Sequence, residues 1–300
     1  MSPGSSGGEL MVTDLATKAE LVKLARTLDL PTEDLRFAAT LDQHQIRRLR
    51  ERVVAALYDE HRTVFQRVAT ITTLLPTPVN VRIALRAFTP YLAARIAGEM
   101  APDKAAELAD RMPVDYLAEA SPHLDPRRAV ALVARMRPDR AVAVVLELVV
   151  RGEYVTLGRL LDAATSWLVR EVVTVISEDA LLRIAFYAES DDQLTRTVAL
   201  LPDDRLRRVV AHALDEPTDL HAVALSVIDR LTDDALRGRL AGYAAEADDR
   251  TLTTLLHSAV AEGALGQLGR AVAAMDAPAR RRVLALPAIG GRLSELLRRG

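Results

Sequence analysis

The stretch DPRRAVALVARMRPDRAVAVVLELV, residues 125–149, sets out one hydrophobic spacing twice. After Pro126 the apolar positions are Ala129, Val130, Leu132, Val133 and Met136; after Pro138 they are Ala141, Val142, Val144, Val145 and Leu148. Pro102 opens a third copy with Ala105, Ala106, Leu108, Ala109 and Met112. Offsets of i, i+1, i+3, i+4 and i+7 gather on one side of a 3.6-residue helix, so each copy predicts a short amphipathic helix. Proline suits the first turn, where its missing N–H has no intrahelical partner, and Asp103, Asp125 and Asp139 favour the positive end of the dipole.

Further breaks fall at Pro113, Pro122, Gly152, Ser177, Asp191, Pro202, Pro217, Thr232, Asp248, Gly263 and Pro278. Two helices fit between Pro102 and Pro126, a period of about two dozen residues that signals a solenoid. Helices this short do not hold in water alone, so each must bury its stripe against the ones before and after it. No strand-like alternation persists. The expected fold is therefore all-α, a superhelix of short antiparallel helices. Past Pro202 the apolar set shifts to Leu206, Val209, Val210 and Ala213, so the later copies stay helical but diverge.

Residues 42–75 differ, carrying neither proline nor glycine, with Ile46, Leu49, Val53, Leu57, Val64, Val68, Ile71 and Leu75 stepping along one face. This predicts one long helix, or two with a bend near Glu60 and His61. Its expected role is to cap the array, with homo-oligomerisation through the long helix as the alternative. The division that follows is a flexible or artificial leader over 1–12, a helical cap region over 13–89, and the helical-repeat superhelix over 90–300.

Segments such as MAPDKAAELADRMP, LDPRRAVALVARMRPDRA and ALLPDDRLRRVVAHAL, within residues 90 to about 215 and covering about 40% of the chain, resemble the N-terminal superhelical domain of MgtE-type magnesium transporters. The flagellar switch protein FliG carries related helical modules. The resemblance implies a cytoplasmic regulatory fold built of short helices. In that family the module precedes CBS domains and a membrane pore and responds to magnesium. This chain has neither the CBS pattern nor a membrane helix, so the resemblance carries over the fold and not the ion.

Composition narrows the function. Half the residues are hydrophobic and 27% are charged with both signs mixed, which fits a globular protein. A formal net charge of −2 gives no global attraction to nucleic acid or an anionic membrane. The absence of cysteine removes disulfides, thiolate metal sites and cysteine nucleophiles, and fits the cytoplasm, the expected location. The most apolar window, residues 141–150, is far shorter than the roughly 20 residues of a membrane span.

Candidate chemistry is sparse. The pairs Asp191/Asp192, Asp203/Asp204, Asp233/Asp234 and Asp248/Asp249 offer oxygen ligands to a hard cation, yet all lie at expected helix starts, where carboxylates serve as caps. The six histidines are scattered with no i, i+4 pair; His212 and His221 are the closest, separated by a turn. No GxSxG elbow surrounds Ser121, Ser166 or Ser177, and GALGQLG at 263–269 lacks the strand and GK[ST] of a phosphate loop, so it reads as a helix connection.

Arginine clusters are the strongest local signal: Arg47, Arg48, Arg50 and Arg52; Arg205, Arg207 and Arg208; Arg280, Arg281 and Arg282. Two of them brought together would hold phosphate or an acidic partner through bidentate contacts. Scarce aromatics argue against nucleic acid. The expected function is a non-catalytic cytoplasmic protein-interaction scaffold or adaptor, without cofactor or metal and without membrane insertion, whose partner is another protein. A stand-alone magnesium-sensing module and nucleic-acid binding through the arginines are the alternatives.

Overall fold

The computed structural model describes residues 15–215 and 220–287, so the leader assigned to residues 1–12 lies outside the described residues. In chain order the helices are α1 (Leu15–Leu28), a 3₁₀ segment (Thr32–Thr40), α2 (Gln43–Asp59), α3 (Arg62–Thr73), α4 (Thr77–Ala87), α5 (Pro90–Glu99), α6 (Pro102–Ala109), α7 (Val114–Ala120), α8 (Pro126–Val133) and α9 (Pro138–Val150). There follow α10 (Tyr154–Arg159), α11 (Ser166–Val175), α12 (Glu178–Phe186), α13 (Asp191–Ala199), α14 (Asp203–Leu214), α15 (Leu220–Arg230), α16 (Asp234–Ala244), α17 (Asp249–Ala261), α18 (Leu265–Ala274) and α19 (Ala277–Ala285). No strand occurs among the described residues.

The prolines sit where the repeat places them. Pro102, Pro126 and Pro138 occupy the first turn of α6, α8 and α9. Within the shared pattern the third and sixth positions after the proline are buried in all three copies: Ala105 and Leu108, Ala129 and Leu132, Ala141 and Val144. Val130, on the edge of the same stripe, is left exposed.

Along the array most helices pack on their next-but-one neighbour. α3 lies on α5, α5 on α7, α7 on α9 and α9 on α11, while α4 lies on α6 and α6 on α8. The pattern resumes as α10 on α12, α12 on α14, α14 on α16 and α16 on α18. Adjoining apolar clusters therefore follow one another along the array, from Ala69, Ile96 and Met100 at one end to Leu252, Leu256 and Val272 at the other. This sequential layering makes the molecule a helical superhelix, each layer stabilised by the next.

Residues 42–75 form two helices, with His61 at φ −117° and ψ 20° between them. The break separates two jobs. α3 and α4 already stack in the array, which thus reaches back to Arg62, because Phe65, Val68 and Ala69 share a cluster with Ile96 and Met100. By contrast α1 and α2 form their own small core, with Leu21, Leu24, Leu35 and Ile46 buried. This pair docks far along the chain: α1 packs against α10 and α15, and Leu15 joins the last apolar cluster.

Candidate functional site

The arginine clusters are largely engaged within the molecule. Arg47 donates to the Glu189 carbonyl at 2.6 Å and to its carboxylate at 3.2 Å. Arg50 is buried between Glu20 (3.1 Å) and Glu189 (2.7 Å). Arg205, also buried, donates to the Ile176 carbonyl and pairs with Glu178. Arg207 pairs with Glu246 at 2.7 Å while its guanidinium stacks 4.0 Å from the Tyr243 ring. Arg208 bonds Asp204, Arg280 bonds the Ala273 carbonyl, and Arg282 bonds the Ala247 carbonyl and faces Asp249. Arg48, Arg52 and Arg281 are exposed and make no hydrogen bond or ion pair among the described residues. The second and third clusters meet at the turn between α16 and α17, which Arg207 and Arg282 both grip.

Around Glu189, in the link between α12 and α13, an ionic cluster fastens the N-terminal helix pair to the array. Lys23 Nζ lies 2.9 Å from Glu20 and 3.6 Å from Glu189, and donates to the Ala188 carbonyl. Burial penalises the Lys23 ammonium and holds its pKa below the ordinary lysine value despite Glu189 and Glu20. For Glu189 burial works against the charge, but Lys23, Arg50 and Arg47 outweigh it and hold the carboxyl below the usual range. Outside the cluster, Lys18 pairs with Glu262, Arg26 with Glu153, and the Tyr58 hydroxyl donates to the His123 carbonyl.

The acidic pairs stand at helix starts. Asp233 accepts from the Ala235 and Leu236 N–H groups and Asp248 from Thr251, while Asp191 and Asp203 open α13 and α14. No group of three potential metal ligands converges among the described residues. His221 bonds Ser258 at 2.9 Å and is buried. Ser177 caps α12. Of the glycines at 263–269, Gly263 (φ 68°) ends α17, whereas Gly266 and Gly269 lie inside α18.

Two features at the start of the array went unread in the repeat pattern. The first is the outer face of α3 and α4, where Val64, Ile71, Leu74, Val79 and Ile83 are exposed, Ile71 to 60% and Leu74 to 80%. Terminal layers of a solenoid ordinarily turn a polar face outward, so this end lacks its cap. The same helices carry Arg67, Arg82 and Arg86, all exposed and without hydrogen bond or ion pair among the described residues. The readable signal was charge: no Asp or Glu occurs between His61 and Gly98.

The second feature is an apolar cavity of about 510 Å³ that runs along the array from α3 to α19. Its most exposed lining side chains, Ile71 and Ile83, belong to this uncapped layer. Hydrocarbon moved from water into such surroundings gains about 0.8 kcal/mol per methylene.

No family model matches the chain, and no curated protein and no solved structure matches it either. No helix among the described residues is long and apolar enough to cross a membrane.

Proposed function

We propose that the chain is a non-catalytic protein-interaction scaffold or adaptor that binds its partner on the open face of α3 and α4. The observation that carries this reading is the coincidence there of exposed apolar side chains with the unpaired Arg67, Arg82 and Arg86 on helices that carry no Asp or Glu of their own. Contiguous apolar surface rimmed by charge is the usual signature of an interaction site. The partner it fits is an acidic amphipathic segment, whose apolar stripe meets Ile71 and Leu74 and whose carboxylates reach Arg67, Arg82 and Arg86. Most arginines of the three clusters, by contrast, are engaged within the fold.

A photo-crosslinking residue placed at Leu74, with Val175 as a second solvent-exposed position for control, tests the reading in cells. The expected result is one defined protein captured from Leu74 and not from Val175, with capture lost in Arg82→Glu/Arg86→Glu. Equal labelling from both positions, or capture indifferent to the charge reversal, refutes it.

A further inference from the structure

We propose that the internal cavity is a binding site for a single acyl chain with an anionic head, a long-chain fatty acid, which enters between α3 and α4. Met136, Val145, Leu181 and Val209, drawn from successive layers, turn hydrocarbon toward one continuous space. A volume of about 510 Å³ falls within the roughly 300–1,000 Å³ of small-ligand sites.

Polar groups on the lining are few and mostly spoken for. The Thr72 hydroxyl donates to the Ala69 carbonyl, the Tyr116 hydroxyl to Phe88, and the Ser121 hydroxyl to Leu117. Two unpartnered atoms remain on it, Asn80 Oδ1 on α4 and Thr197 Oγ1 on α13, and they belong to separate layers. A buried water asks for two to four polar partners, so the interior favours a guest that is hydrocarbon along its length.

The head group is specified at the mouth. Ile71 and Ile83 are the most exposed of the lining residues, and Arg67, Arg82 and Arg86 stand on the same two helices. An amphiphile threaded from this end keeps its chain among apolar side chains and leaves a carboxylate against free guanidinium groups, which bind it as charge-assisted donors. The scaffold reading uses the same outer face, but this inference rests on the cavity behind it. Either can fail without the other.

The test titrates the purified full chain with a fluorescent fatty acid and displaces it with octanoate, laurate, palmitate and oleate, with uncharged hexadecanol and phosphatidylglycerol vesicles as separate arms. Saturable one-to-one binding is expected, tightening roughly fourfold per methylene until the chain fills the space. Arg82→Glu/Arg86→Glu is expected to weaken oleate about tenfold and leave hexadecanol unchanged. Val145→Trp, which blocks the channel part-way, is expected to shorten the preferred chain, and the length series on the unaltered protein gives the same information should that variant not fold. No saturable fatty-acid binding overturns the proposal. So does binding to vesicles alone, or an affinity that ignores chain length, since either means adsorption to the surface.

Discussion

Arg50 donates a 2.7 Å hydrogen bond from Nη2 to the Glu189 carboxylate, joining two positions 139 residues apart. Around this bond Lys23 and Glu20 complete a network in which both acids and both buried bases have an opposite charge within reach. Removing one partner from such a cluster strands the others away from water. Glu189→Gln should therefore destabilise the protein by about 3 kcal/mol in chemical denaturation. Arg48→Ala, exposed on the same helix, should change it by less than about 0.5 kcal/mol. Equal effects would mean that the network does not hold α1 and α2 in place.

The same cluster sets an acid dependence. Glu189 is held below the usual carboxylate range by Lys23, Arg50 and Arg47, with Glu20 and Asp162 as the neighbouring acids. Its folded pKa is thus lower than its unfolded one. The stability it contributes is full above the ordinary carboxylate pKa and disappears as pH falls through the depressed value. Melting temperature followed from neutral pH into acid should show the gap between the unaltered chain and Glu189→Gln closing at the acid end. A gap constant with pH would place the effect outside the ionisation of Glu189.

Close helix approach makes a second test. A Cβ at Gly238 on α16 would collide with the Ala274 carbonyl oxygen of α18, and one at Gly158 on α10 would lie 2.6 Å from the Tyr187 backbone carbon beyond α12. Gly242, one turn along α16 from Gly238, faces open space. Gly238→Ala and Gly158→Ala should each lose roughly 1–3 kcal/mol through forced separation of the layers. Gly242→Ala should gain up to about 1 kcal/mol from helix propensity. Thermal unfolding of the three variants decides it, and a stabilised Gly238→Ala would contradict the packing of α16 on α18.

Much of this architecture was legible because its cause is local. Proline at a first turn and an apolar stripe beside it define a helix without reference to anything distant, which is why α6, α8 and α9 could be placed from Pro102, Pro126 and Pro138. Asp233 and Asp248 could be read as caps for the same reason. The docking of α1 and α2 was not legible, since Glu189 reads as an ordinary residue ahead of a helix until Lys23 and Arg50 reach it from the other end of the chain. Nor could the exposed face of α3 and α4 be told from a buried one, because a stripe of valine and isoleucine looks alike whether or not a neighbour covers it. The internal pairing of the arginine runs was hidden for the complementary reason: in linear form, an arginine clamped by Glu178 or Glu246 cannot be distinguished from a free one.

Magnesium offers a further test. In the acidic pairs, Asp191 bonds Arg230 at 2.8 Å, Asp203 faces Arg239, Asp204 bonds Arg208 and Asp234 bonds Arg237, while Asp233 and Asp248 cap their helices. A cation would displace these partners one pair at a time, with no third ligand gathered beside any of them among the described residues. Millimolar magnesium should leave the melting temperature where it was. A midpoint that climbs with the logarithm of magnesium concentration would reveal a folded-state site and favour the sensing alternative.

Arg95 ties the two halves of the N-terminal region together. It is buried, and its guanidinium lies 4.2 Å from the Tyr58 ring centroid and 5.1 Å from that of Phe65. One nitrogen donates to the Leu57 and Tyr58 carbonyls at 2.6 and 2.9 Å, the last turn of α2, where a positive charge also meets the negative end of the helix dipole. Arg95→Met keeps most of the bulk and removes charge and donors together, leaving those carbonyls without their arginine partner. The expected loss is about 2–3 kcal/mol by urea unfolding. Arg95→Lys should recover only part of it, because an ammonium lacks the flat face that stacks between Tyr58 and Phe65. If methionine proved neutral, the α2–α3 junction would have to be held by apolar packing alone, and the polar clasp at Arg95 would lose its structural role.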